Sequence, residues 1–278
     1  MLTLLSYSFF RNALLGAFLA SIVCGIMGTY IVSRRLVFIS GGITHASFGG
    51  IGLGVFLGIS PVVGAMVFAV LSALGVQWLS AKRRVRQDSA IAMFWTFGMS
   101  VGIIFSFLTP GFMPDLPGFL FGSILTIGSA DLWLLLALTV VVALVFALWG
   151  GTIVSIAFDA DFARSRHLPV AAMEYMLMAL TAVTIVSTLR LVGVVLAISL
   201  LSIPQTTANL FCHRFGTMAA LSVVLGWVYC GVGLLASYWL NVPSGACIIL
   251  VSVVVYATLR TIKQGVGELI LKRNLVKA

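Results

Sequence analysis

The chain has 278 residues, of which 61% are hydrophobic and 8% charged, against roughly 45–50% and 25% in ordinary soluble domains. Its mean hydropathy of +1.19 excludes a water-soluble globular protein and places most of the chain in a bilayer as helices. Sixteen Lys and Arg against seven Asp and Glu give a net charge of +9, and where these charges fall says more than their sum.

Residues 12 to 33 hold no charge and predict a first span. Residues 36 to 81 add 46 more without charge, enough for two spans hinged near Ile59, Ser60 and Pro61, where proline interrupts the helix ladder. Lys82, Arg83, Arg84 and Arg86 follow. Spans then fit 89 to 109 and about 131 to 150, separated by the turn-rich TPGFMPDLPGF. The stretch 118 to 128 is too short to cross and is expected at the outer interface or part-way into the membrane. Beyond the charged segment from Asp159 to His167, spans fit about 170 to 189, 191 to 211, 215 to 239 and 244 to 262. The reading is an all-α polytopic membrane protein with about nine transmembrane helices. One permease-sized domain covers 1–278, with a cytoplasmic element at 158–169 and a basic cytoplasmic tail at 263–278. The short turn around Arg190 also allows a broken or re-entrant pair there.

With nine spans the two termini lie on opposite faces. Placing Arg34 and Arg35 inside puts 14 of the 16 basic residues in cytoplasmic loops or the tail and leaves Arg11 and Arg190 outside, which sets the N-terminus outside and the C-terminus inside. The basicity is thus a topology signal and a contact with anionic membrane lipids, with no nucleic acid implied. The first apolar run is too long for the core of a signal peptide and reads as a retained span. Cys24, Cys230 and Cys247 fall within spans and Cys212 at a cytoplasmic edge, all four as packing residues.

There is no GxxxxGK[ST] phosphate loop, no HExxH and no CxxC, so the chain is expected to be no enzyme and to hydrolyse no ATP itself. Transport remains, and polar groups inside spans carry that argument because they are costly in hydrocarbon. In the second span, SGGITHASFGGIGLG, Gly41, His45, Gly49 and Gly52 recur at helical spacing with Thr44 and Ser47 beside them. Two readings stand: close helix packing through small residues, or room for an ion beside an imidazole, a ligand suited to divalent metals. Ser199, Ser202, Thr206 and Asn209 form a second polar series, and Pro204 frees the carbonyl of Leu200. That series supplies oxygen ligands or a hinge, or else its hydroxyls bond back to their own helix. No acid lies mid-span, so no cofactor is expected to bind tightly, and a metal here is cargo held briefly. Asp115 and Asp131, the only outside acids, draw a cation to an outer entrance or cap their loops. The segment FDADFARSRHLP reads as a short helix around Asp161 to Arg166, either a docking surface or a solvated connector.

The ordered set RRLVFISGGITHASFGGIGLG, LFGSIL at 120 to 125, FDADFARSRHLPV, LVGVVLAISLLSIPQTTANLF and VPSGACIIL resembles the membrane subunits of bacterial zinc, manganese and iron ABC importers, the type 3 metal-ion ABC permeases. The likeness runs from about residue 12 to 262. It implies a fold similar to the vitamin B12 and siderophore importers in the bacterial inner membrane. A second copy of the chain would complete a homodimer, joined by cytoplasmic ATP-binding subunits and an extracytoplasmic metal-binding protein. The cargo would be Zn²⁺ first, with Mn²⁺ or Fe²⁺ as alternatives. By the same resemblance, Asp159, Asp161, Ala163, Arg164 and His167 belong to an ATPase-coupling element. His45, with Thr44, Ser47, Ser199, Ser202 and Thr206 around it, lines the metal path. Two positions depart from the family pattern: Gly42 stands where many members carry an acid, and His167 where the docking element usually has Gly. An importer of a metal chelate and a non-ATP secondary carrier are the alternative readings.

Overall fold

A backbone in hydrocarbon can satisfy its polar groups only within its own helix. The computed structural model describes residues 8–81, 85–111 and 127–275, and these form ten helices with no strand among them. In chain order they are α1 Ser8–Ser33, α2 Val37–Phe56, α3 Pro61–Ala81, α4 Gln87–Leu108, α5 Ser129–Phe158, α6 Ala160–Ser165, α7 Val170–Leu200, α8 Ile203–Ala208, α9 Phe215–Leu240 and α10 Ser244–Leu275.

Seven segments are long and apolar enough to cross a membrane: α1, α3, α4, α5, the first part of α7 (Val170–Leu189), α9 and the first part of α10 (Ser244–Gly265). The other two of the nine expected spans are also helical but differ in kind. Helix α2 has the length, 20 residues, but is diluted by glycine, Ser, Thr and His. Val192–Ala208 is a shorter apolar helix. The break expected near Arg190 occurs at Gly193, whose φ of 80° and ψ of 169° interrupt α7; this backbone is open to glycine and closed to most side chains. Residues 112–126, which include Asp115 and most of the 118–128 stretch, lie outside the described residues.

Helix α1 packs against α5, α7 and α9, and α10 covers the far side of α9. On the other flank α2 lies against α3, α4 and α7. Lipid offers little hydrophobic incentive for helices to meet, so close van der Waals fit must hold them. Helix α2 achieves that fit by surrendering side chains. A Cβ on Gly50 would run into the Gly64 carbonyl of α3, and one on Gly64 into the Gly50 carbonyl. On the α4 side, a Cβ on Gly49 would sit 2.7 Å from the Gly98 carbonyl oxygen, and one on Gly52 would meet Gly102. Each glycine would cost a helix roughly 1 kcal/mol in water; in the bilayer the unbonded alternative is worse, and the helix stands. The outer faces carry large apolar side chains such as Phe107, Trp133 and Trp239, as a lipid-facing surface should. All four cysteines are free thiols, with Cys24, Cys230 and Cys247 buried.

The region around Pro204 departs from expectation. Instead of a kink within one helix, α7 ends at Leu200, Leu201 and Ser202 form a turn, and Pro204 sits in the first turn of α8, where its missing N–H costs nothing. The Leu200 carbonyl is freed as expected but is no open ligand: the Gln205 Nε2 donates to it at 3.0 Å and to the Cys24 carbonyl at 2.7 Å. Gln205 is fully buried, so its amide stitches the α7–α8 break to α1.

Gly50→Leu is expected to destabilise the chain by about 1–3 kcal/mol or to block assembly of α2 on α3, read as a lowered thermal midpoint and yield in detergent. Gln205→Ala leaves the buried Leu200 carbonyl without its donor and should cost about 1–3 kcal/mol. Thr206→Val, which removes a bond internal to its own segment, should cost clearly less in the same melt.

Candidate functional site

Two regions hold the residues singled out from the sequence, one within the apolar helices and one in the short segment between α5 and α7. In the first, the position of His45 on α2 follows from the glycine contacts. With Gly49 and Gly52 pressed on α4, the His45 ring comes to rest on Trp95 of α4, centroids 4.6 Å apart and planes within 2°. Phe38 joins from the other side of Trp95, at 5.6 Å. The stack fixes the imidazole plane. The ring is half-buried and makes no hydrogen bond among the described residues. Gly41, one turn earlier, opens towards α7: Ile198 Cδ1 lies 3.8 Å from where its Cβ would be. The glycine series therefore divides, with Gly49 and Gly52 spent on packing against α4 and Gly41 left facing the end of α7.

The hydroxyls around it are committed to their own backbones. Thr44 and Ser47 are fully buried and donate to the carbonyls of Ser40 and Thr44, at 2.6 Å each. Ser199 donates to Val195 at 2.9 Å, Ser202 to Ile198 at 2.8 Å and Thr206 to Ser202 at 2.7 Å. No group of three or more His, Cys, Asp or Glu side chains able to hold a metal occurs among the described residues. Among the described residues, then, the His45 region holds no closed metal cage. Of the outer acids, Asp131 lies in the first turn of α5 and its Oδ2 accepts the Gly128 N–H at 3.1 Å, the capping geometry of a helix start.

At the other region α6 is a six-residue helix held at both ends. The Asp159 Oδ1 accepts the N–H groups of Asp161 and Phe162 at 3.0 and 2.9 Å, an N-cap. At the C-terminal end His167 N–H donates to the Arg164 carbonyl and Leu168 N–H to the Ala163 carbonyl, at 2.9 and 3.1 Å, the pair of bonds that defines a Schellman motif. His167 takes φ +57°, the left-handed conformation that a glycine would adopt freely, at a cost of roughly 1–2 kcal/mol. Substitution of His for Gly thus leaves the cap intact. Asp161 pairs with Arg164 at 2.5 Å on the exposed side.

Ala163 differs from the rest. It is fully buried, in a small core of Ile156, Ala163, Val170 and Met173 separate from the main one. It seats α6 and offers nothing to a partner. The exposed surface consists instead of Asp161, Arg164, Arg166 and His167 with two aromatics that sequence reasoning passed over, Phe158 at 67% and Phe162 at 56% exposure. Their signal was present: two phenylalanines in a charged segment that leaves the membrane have no reason to be there for solubility. Trp95 and Gln205 were also missed, since only the fold brings them to His45 and to the Leu200 carbonyl.

The chain matches the ABC 3 transport family over residues 6–262. It is 41% identical to an uncharacterised membrane protein of Synechocystis sp., across 92% of this chain and 91% of that one. It is 33% identical to the manganese transport system membrane protein MntC of Halalkalibacterium halodurans, across 91% and 87%. Among solved structures, PsaBC from Streptococcus pneumoniae in complex with Fab superimposes with a TM-score of 0.80 at 27% identity, covering 92% of each chain. With the helical body, the His-bearing glycine helix and the capped α6 in the family's order, this chain belongs to the ABC 3 transport family.

Proposed function

We propose that this chain is the permease subunit of an ATP-driven importer of a divalent transition metal, with manganese as its preferred cargo. The observation that carries the reading is the build of the segment 158–169. A helix this short would not hold in isolation, yet it is capped at both ends, seated on its own small core, and presents aromatic and basic side chains outward. That is the form of a rigid knob made to receive a push. The push would come from ATP-binding subunits on the cytoplasmic side, with the C-terminus on that side and the N-terminus outside.

The choice of metal rests on the donors and on the relatives. Zinc stands first on the imidazole alone. The other groups near His45 are oxygens, with no thiolate among the residues named there, and oxygen donors suit Mn²⁺. Two relatives, MntC of Halalkalibacterium halodurans and ScaB of Streptococcus parasanguinis, are named for manganese, and three chlamydial ones for metal transport without a stated metal. Two copies of the chain would enclose the path between them, each contributing His45 and the end of α7. A metal-binding protein on the outer side would deliver the ion, with Asp131 near its entrance. Inward opening would follow when displacement of α6 moves the helices as rigid bodies.

In vesicles carrying the permease with its ATPase and binding protein, His45→Ala is expected to lower Mn²⁺ uptake by about tenfold, equivalent to one weak ligand at roughly 1.4 kcal/mol. Complex yield should stay unchanged; undiminished uptake removes His45 from the path. Ala163→Asp places a carboxylate in the core under α6 and should weaken ATPase retention on the permease by about tenfold or more. His167→Gly, which keeps the left-handed cap without strain, should retain the ATPase as the wild type does. Co-purification measures both.

A further inference from the structure

A buried polar node lies beside α6, assembled from residues far apart in the chain. Arg34, at the end of α1, donates from Nη2 to Glu174 Oε1 at 2.7 Å and from Nη1 to the Ile156 carbonyl at 3.0 Å. Glu174, near the start of α7, accepts a second bond on Oε2 from Gln77 Nε2 of α3 at 3.0 Å. Glu174 is 8% exposed and Gln77 6%, while Arg34 is part-buried, and all three bonds are short. Four helices, α1, α3, α5 and α7, are joined through three side chains.

Two of the attachment points belong to the base of α6. Ile156 is in the small core beneath Ala163, and Glu174 follows Met173 of that same core. The other two lead inward: α1 runs to the Gln205 stitch, and α3 carries Gly64, pressed against Gly50 of the His45 helix. A cleft of about 420 Å³ lies over the node, lined among others by Arg34, Gln77, Glu174, Asp161 and Arg164, so the face of α6 and the node share one opening. The small core around Ala163 is distinct from the main core, and two things join them: Met176, packed against both, and the hydrogen-bonded node, whose bonds have fixed directions that an apolar contact lacks.

We infer that Arg34, Glu174 and Gln77 form the linkage by which displacement of α6 reaches α1 and α3, and through them the His45 helix. The inference rests on the proposed coupling role of α6 and adds the route inward from it. Arg34, Glu174 and Gln77 are positioning residues, since none is placed on the ion path. Such a pair is a poor source of stability, but Glu174, engaged on both of its oxygens, holds Arg34 and Gln77 in one arrangement. A guanidinium suits the task because its planar fork holds a carboxylate and a carbonyl at once, which an ammonium cannot do in fixed directions.

The test compares wild type, Arg34→Lys, Glu174→Gln and Glu174→Ala in vesicles containing permease, ATPase and binding protein, measuring Mn²⁺ ions imported per ATP hydrolysed alongside ATPase retained. Arg34→Lys keeps the charge pair and drops the arm to Ile156; it is expected to lower ions per ATP by several-fold with ATPase retention unchanged. Glu174→Ala should lower the ratio by about tenfold or more. If it fails to assemble, the two conservative variants decide. Conservative variants that retain the ATPase and import at the wild-type ratio overturn the linkage alone. Uptake that falls only in proportion to assembled complex overturns it as well. A wild-type chain that retains no ATPase overturns the proposed function and the linkage with it.

Discussion

The close approach of α2 to its neighbours is the constraint from which the rest of the structure follows. In hydrocarbon two helices gain by touching only when their surfaces fit, and the closest fit is backbone on backbone. Gly49, Gly50 and Gly52 allow it against α4 and α3. Once those contacts are made, the rotation of α2 is no longer free, and His45 has one place to be, flat against Trp95. The orientation of the imidazole is thereby set by residues that contain no side chain at all.

At the cytoplasmic side a different physics applies. Water is available, apolar area can be buried for gain, and short helices survive only if their ends are closed. Helix α6 closes its first turn with the Asp159 carboxylate and its last with the left-handed turn at His167. Arg35 ends α1 the same way, with φ 58° and the Leu36 N–H bonded back to the Ile31 carbonyl. Two non-glycine residues thus stop helices at the boundary where the chain leaves the bilayer. There the cost of a left-handed residue is offset by carbonyls that would otherwise lack partners.

Much of this was legible in the sequence. Charge-free runs locate spans because a charge is expensive in lipid wherever it stands, and each of the seven apolar spans overlaps such a run, with the charges they hold, Glu174 among them, near their ends. The short helix expected around Asp161 to Arg166 is there as α6, and Gly193 falls where a break was expected beside Arg190. What escaped was everything that depends on which helix meets which. Arg34 reads as one more positive charge inside the membrane boundary, and only the fold brings Glu174 to it from 140 residues away. Pro204 rightly pointed to a freed carbonyl, but nothing local says that Gln205 turns back to occupy it. Ala163 shares a segment with exposed charges yet faces inward, since a six-residue helix is too short for periodicity to declare its buried side.

The hydroxyls of Ser199, Ser202 and Thr206 each give their single proton to a carbonyl of their own strand of helix. With the proton turned away, such an oxygen can only offer electrons. In the proposed path a row of them would be a lining of one electrical sense, repelling chloride or phosphate and steadying a positive visitor without any fixed negative charge in the membrane. Discrimination by sign would then be a by-product of ordinary helical back-bonding, present before any metal arrives.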